Sequence, residues 1–319
     1  MLSIYILTYN EEIDIADCVE SAISLSDDVI VVDSFSTDQT MSILARYPVR
    51  VFQHTFVSHG QQRTWMLENI ATKYDWVYIL EADERMTPAL FAECLKMSRK
   101  KDDTIAYYAA ERVIFMGTWI RRSTQYPRYQ MRLFQKGKVL FSDYGHTERE
   151  VYQGKVGFLA ETYPHYTCGK GLSRWIEKHN RYSTDEAKET LLQLQQGQVR
   201  WKDLLWGSSE VQRRRALKDV SLRIPFRPLA RWIYMYFILG GIWDGKAGFA
   251  WCTLQAFYEY LILLKIEEFK TEANKIVPNP LPHLTLINRD HNQGDLSAFA
   301  ADSLTRSTPE TITSSERQP

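Results

Sequence analysis

Val29-Ile30-Val31-Val32-Asp33-Ser34, at residues 29–34, sets four apolar β-branched residues in a row and closes them with two polar ones. An unbroken run of that length, without alternation, fits a strand buried on both faces. A second short apolar run, Ile4 to Leu7, lies upstream. Between the two, Ile13, Ala16, Val19 and Ile23 fall near helical spacing within residues 11 to 25. Downstream, a helix is predicted around residues 38 to 46 and stops at Pro48. Further strands are predicted over Val49 to Phe52 and Trp76 to Leu80, with a helix over residues 60 to 71. Pro88 opens another helix near its first turn, where a missing N–H costs nothing. Strands alternating with helices predict an α/β fold with a mostly parallel sheet covered on both faces.

The texture changes near residue 105. Tyr107, Val113, Phe115, Met131, Leu133 and Phe141 lie in short β-like segments, read as an antiparallel edge and loop region that covers a cleft. Residues 172 to 196 read as helix. Arg213-Arg214-Arg215, Lys218, Arg223, Arg227 and Arg231 form a basic stretch, and residues 229 to 270 are aromatic-rich and helical. After Pro278 the chain is rich in polar residues and is expected to lack fixed structure. Lys plus Arg equals Asp plus Glu, 39 each, which disfavours a strongly basic nucleic-acid binder. Cys18, Cys94, Cys168 and Cys252 are scattered, without a C-x-x-C pair, and read as reduced thiols of a cytosolic protein. The first residues lack a basic n-region and run into a strand pattern, so no signal peptide is expected.

In an α/β sheet, ligands sit at the carboxyl ends of the strands. Three polar clusters fall there: Thr8-Tyr9-Asn10-Glu11, Asp33-Ser34-Phe35-Ser36-Thr37-Asp38 and Glu81-Ala82-Asp83-Glu84. Asp33 can accept hydrogen bonds from a base or ribose, and Asn10 can read a base edge. Carboxylates repel a diphosphate unless a cation intervenes. Glu81 and Asp83 can offer oxygens to a bridging Mg²⁺ or Mn²⁺. Asp33 and Asp38 could equally form a turn and cap a helix.

The ordered set of motifs resembles glycosyltransferase family 2, in the branch of lipopolysaccharide-core β-1,4-glucosyltransferases and exopolysaccharide enzymes. It comprises the first two clusters, Gln62-Arg63 with Asn69, Asp83-Glu84, His146 with Glu148, Trp175 with His179-Asn180, and Gly240-Gly241 with Asp244-Gly245. The resemblance spans roughly residues 1 to 270. It implies a GT-A (Rossmann-like nucleotide-diphospho-sugar transferase) domain with a C-terminal amphipathic helical extension. The divisions are 1–225 for the catalytic domain, 226–270 for interfacial helices and 271–319 for a disordered tail. It also implies a nucleotide-sugar donor, usually a uridine diphosphate sugar, a divalent metal, and inversion at the anomeric carbon. Thr8, Asn10, Glu11, Asp33 and Arg63 are then expected at the nucleotide, and Asp83 and Glu81 at the metal. His146 is expected at the acceptor or phosphate, with His165 as a late metal ligand. Glu148 is the expected base, with Asp143 and Glu150 in reserve. Two departures stand out: Glu81 replaces the first aspartate of an Asp-x-Asp motif, and Thr147 separates His146 from Glu148.

Residues 232 to 243 are too short to span a bilayer, which needs roughly 20 residues. The longer stretch from 247 to 264 carries Gln255 and Glu259. A pair of interfacial helices on an anionic membrane surface is expected, with Trp232, Trp243 and Trp251 at headgroup level. The expected partners are a nucleotide-sugar donor and a glycan or glycolipid acceptor, with no nucleic acid. The expected place is the cytoplasmic, inner face of the plasma membrane. A catalytically silent nucleotide-sugar-binding scaffold is the alternative from another class.

Overall fold

The computed structural model describes residues 1–144, 147–196 and 226–276. Its centre is one mixed sheet. Strands β1 (Ser3–Thr8), β2 (Val29–Asp33), β3 (Arg50–Gln53) and β4 (Trp76–Glu81) run parallel in the order β3-β2-β1-β4. Every residue of β2 is buried, as its unbroken apolar run predicts. Helices α1 (Ile15–Ile23), α2 (Thr40–Leu44), α3 (His59–Asn69) and α4 (Pro88–Ser98) connect and follow these strands. Thr87 caps α4 by accepting from Leu90 N, and Pro88 sits in its first turn.

Side chains alternate across each strand and feed two cores. Ile4 and Ile6 of β1 pack with Cys18 and Val19 of α1 and Leu90 of α4. Tyr5 and Ile79 face the other way, onto Met66 and Leu67 of α3.

The segment after residue 105 adds the expected antiparallel strands to the sheet, and its loop residues Ser123, Thr124 and Gln125 line the cleft. Strand β5 (Thr104–Phe115) carries the short β6 (Thr118–Trp119) and pairs antiparallel with β7 (Tyr129–Gln135), which pairs antiparallel with β4. Beyond β5 lies β10 (Lys155–Tyr166), parallel to it. Only β8 (Val139–Tyr144) and β9 (Thr147–Tyr152) leave the sheet, as a separate two-stranded ribbon. The ribbon rests on α3: Thr64 Oγ1 donates to Phe141 O at 2.7 Å and accepts from Phe141 N at 3.1 Å.

Helix α5 (Leu172–Gln196) follows β10. Helix α6 (Arg227–Ile233) runs into a π-helical turn (Tyr234–Ile238), a 3-10 turn (Gly241–Asp244) and the long α7 (Gly245–Ile276). The stretch expected to be unstructured, 271–319, thus begins inside α7, and residues 277–319 lie outside the described residues. So do His146 and most of the basic stretch, from Arg213 to Arg223. A chain segment within Gly241–Glu272 is long and apolar enough to cross a membrane by length and composition, and most of it is exposed. Glu259, inside that segment, is buried and ion-paired to both Arg227 and Arg231 at 2.8 Å.

Candidate active site

The carboxyl ends of β1, β2 and β4 open into a cleft of about 1180 Å³, closed on other sides by the end of β10, α5 and the helical pair α6–α7. The loops that follow β1 and β2 are stitched together. Asn10, at φ 52°, accepts from Thr37 N at 2.7 Å through its side chain, while its own N–H donates to Ser36 Oγ at 2.8 Å. Asp33 is fully buried; Ser36 N and Gln53 Nε2 each donate to it at 3.0 Å, and Ser36 Oγ donates as well. Both residues therefore shape the loop in this state, which is the turn-forming role open to such side chains.

Their work holds Phe35 at φ 59° with its ring half exposed at the cleft. A left-handed conformation in a bulky residue costs on the order of 1–3 kcal/mol and is kept only where the surroundings enforce it. Tyr9 and Phe56 are likewise exposed along this wall. Sequence reasoning missed these rings, since nothing in the pattern separates a site aromatic from a core one.

Thr8 and Glu11 line the cleft. Glu11 Oε1 meets Lys170 Nζ at 2.5 Å, whereas Glu11 Oε2 and Thr8 Oγ1 are buried without a partner among the described residues. Burial pushes the Glu11 carboxyl up to about 7, against the pull of Lys170. Lys170 was not anticipated; the Gly169-Lys170-Gly171 turn after β10 was its only signal.

Asp83 and His165 come together on the floor. Tyr166 N donates to Asp83 O and Arg85 N to Pro164 O, so the end of β10 is zipped to the loop after β4. That leaves His165 Nε2 3.2 Å from Asp83 Oδ2 and His165 Nδ1 2.9 Å from Glu111 Oε2. Against the burial that opposes its charge, the two carboxylates raise His165 well above the usual imidazole range. Despite its burial, Asp83 is held down to about 2, chiefly by His165.

Glu81 is engaged differently. Its Oε1 meets Arg63 at 2.8 Å and Arg132 at 3.6 Å, and Arg132 also binds the buried Glu84 at 2.5 Å. Arg63, expected at the nucleotide, is only 3% exposed and pairs with Glu148 as well as Glu81. Arg63 thus ties the ribbon to the end of β4. Glu148 Oε2 is buried with no described partner, and burial pushes its carboxyl up although Arg63 pulls it down. Asp143 lies opposite Glu148 across the ribbon but belongs elsewhere: it accepts from Gln61 Nε2 at 3.1 Å and lines a separate hollow with His54 and Trp65.

Among the described residues no cluster of three or more His, Cys, Asp or Glu could hold a metal ion. Asp83 and His165 nevertheless suit a cation that completes its shell with phosphate oxygens and water, the usual arrangement when few protein ligands are present. Glu81, bound to two arginines, is a poor third.

A four-stranded parallel half, an antiparallel extension and acidic strand ends around one cleft are the features of a GT-A fold. Residues 3–153 match the family model "Glycosyl transferase family 2", which together with similarity to proteins named as glycosyltransferases supports a glycosyltransferase. The chain is 24% identical over 286 residues to the uncharacterized glycosyltransferase RT0209 of Rickettsia typhi, covering 86% of this chain and 90% of that one. It is 26% identical over 286 residues to the lipopolysaccharide core biosynthesis glycosyltransferase LpsC of Rhizobium meliloti, covering 87% and 95%. A solved structure of glucosyl-3-phosphoglycerate synthase from Mycobacterium tuberculosis, in complex with Mn²⁺ and UDP-glucose, aligns with a TM-score of 0.31 and 21% identity, covering 35% of this chain and 44% of that one.

Proposed function

We propose that this enzyme transfers a hexose with inversion from a uridine diphosphate donor to a lipid-linked or polysaccharide acceptor in cell-surface glycan assembly, working on the inner face of an anionic membrane. The observation that carries the reading is the unpartnered buried oxygens of Thr8 and Glu11, which line the cleft at the end of β1. A buried polar atom without a partner costs about 1–3 kcal/mol, and a ligand that supplies the partner recovers it. The similarity to a lipopolysaccharide core enzyme supports the class of product.

Thr8 and Glu11 can hydrogen-bond the nucleoside, and Tyr9, Phe35 and Phe56 offer faces on which a base can stack. Asp83 and His165 would hold the divalent metal, which when bound stabilises charge on the leaving diphosphate. Metal binding needs His165 neutral, so the cation replaces a proton there. Glu148 acts as the base. Its raised affinity for protons brings it nearer to working pH, where a general base is most effective. Glu148 does not line the cleft and its Oε2 is buried, so this role requires a rearrangement of the ribbon. The turns between α6 and α7 expose Ile238 and Trp243, and α7 exposes Phe249, apolar side chains suited to the lipid interface.

Calorimetric titration tests the reading. UDP is expected to bind with Mn²⁺, and to lose affinity with chelator or in Asp83→Ala. Folded protein that binds no nucleotide diphosphate would sink the proposal. Glu148→Gln is expected to lower kcat by about 10²-fold or more while leaving UDP binding in place; unchanged turnover would favour a binding scaffold.

A further inference from the structure

We propose that the cleft-facing side of α5 is an acceptor subsite for a negatively charged saccharide, one bearing a phosphate or carboxylate, with Lys178 and Arg181 as its anion-binding pair. The inference rests on the transferase reading and deepens it. Arg174, Lys178, Arg181, Tyr182 and Asp185 all line the cleft. Their separations of four, three, one and three place them on one face of the helix.

Most cations around the cleft are already matched. Lys170 pairs with Glu11, Arg128 with Glu111, Arg174 with Glu177 and Arg231 with Glu259. Lys178 and Arg181 have no ion pair among the described residues, and both are exposed. Asp185 is the only carboxylate of α5 among the described cleft residues. The wall therefore keeps a local positive surplus in a protein of zero net charge.

The pair runs from the donor end outward. The loop before α5 clamps β1, where Lys170 Nζ also meets Tyr9 O at 3.4 Å. Lys178 is close enough to Asp83 to help hold its carboxyl down. Arg181 lies three residues further on, about 5 Å along the axis. Beyond it α5 packs against α7 through Ala187 and Ile262. A chain of sugars leaving the transfer point toward α6–α7 runs along this wall. Tyr182, 41% exposed beside Lys178, adds an aromatic face against which a sugar ring can lie. Cations next to an exposed ring suit a charged sugar better than a neutral one or a bare phosphate.

The test uses the full chain saturated with UDP and Mg²⁺, titrated with glucose, glucose 6-phosphate and glucuronate and followed by saturation-transfer NMR. The two charged sugars are expected to bind at least tenfold more tightly than glucose. Arg181→Ala is expected to reduce that preference at least threefold while leaving UDP affinity within twofold, and Lys178→Ala/Arg181→Ala to erase it. Both residues are exposed, so the fold should be kept. Equal binding of all three sugars overturns the subsite. So does a loss of UDP affinity in Arg181→Ala, which would assign the pair to the donor diphosphate. If the double variant instead loses binding to phosphatidylglycerol vesicles, and no charged-sugar preference is seen, the pair serves lipid and the proposal fails. Absence of UDP binding in the parent protein is a different failure, that of the transferase reading itself.

Discussion

Arg63 gathers two acidic groups of the site on one guanidinium: one terminal nitrogen holds Glu81, the other Glu148. Removing a cation from such a place leaves uncompensated carboxylates, which typically costs about 3–5 kcal/mol. Arg63→Met is therefore expected to lower unfolding free energy by about 3 kcal/mol in urea. Adding Glu148→Gln should recover part of it, because the second substitution removes one of the stranded charges. Strict additivity, with coupling below about 0.5 kcal/mol, would mean that the contact is energetically idle. Glu11 supplies a pH dependence. Its carboxyl titrates near 7 in the folded chain, against 4.5 for an unperturbed glutamate. The folded state thus holds the proton more tightly, and stability falls as pH rises from about 4.5 through 7. Glu11→Gln is expected to flatten that window by up to about 3 kcal/mol in denaturation at pH 5 and pH 8; an unchanged slope would place the titration elsewhere. Of the residues at this scale, the acidic strand ends were legible because they follow apolar runs directly. Their roles were less so. Asp33 and Asn10 are spent on the loops, and the arginine sharing that occupies Glu81 joins positions on separate elements that no spacing rule connects.

Among the elements, the corner between the π-helical turn and α7 shows how a motif acquires meaning. The sequence singled out Gly240-Gly241 and Asp244-Gly245 by resemblance alone. In the structure, Asp244 Oδ2 accepts from Arg122 N at 2.9 Å and from Ser123 N and Oγ at 2.7 Å. A Cβ on Gly248 would lie 2.1 Å from Gly241 O. The corner thus seats directly on the loop that carries Ser123, Thr124 and Gln125 into the cleft. Gly248→Ala is expected to destabilise by about 1–3 kcal/mol, as overpacking does, and Asp244→Ala to raise the acceptor KM more than the donor KM. An equal rise in both would show that the loop does not discriminate between substrates. The parallel half of the sheet was readable from its apolar runs. Strand β5 was read as short β-like segments rather than one long strand, because Ala106, Ala109 and Ala110 give it little β character, although nearly all of it is buried. Burial on both faces there comes from neighbours distant in sequence, which a local pattern does not report.

For the whole molecule, charge and apolarity are unevenly distributed. Net charge is zero, yet Phe226 before α6 and Ile238 and Trp243 in the turns between α6 and α7 are 72–78% exposed. Clustered exposure of that kind marks an interaction surface. Binding to vesicles containing phosphatidylglycerol is expected, with a blue shift of tryptophan emission. Ile238→Ser/Trp243→Ser should weaken it by about tenfold or more, since burying each such side chain contributes roughly 1.5–3 kcal/mol. Equal binding of variant and parent would locate the lipid contact elsewhere. The apolar composition of this region was plain in the sequence; Glu259 looked like an interruption there, and its two arginine partners place it on the inner side.

The zipping of β10 to the loop after β4 bears on how the protein is made. Asp83 and His165 stand 82 residues apart in the chain, and Lys170 reaches across 161 residues to Tyr9. A ribosome that has delivered residues 1–153 has released the matched family segment and every strand of the parallel half, but neither His165 nor the lysine that clamps Glu11. The parallel half of the sheet is therefore synthesised before His165 and Lys170, the two residues that β10 and the turn after it bring to Asp83 and Glu11.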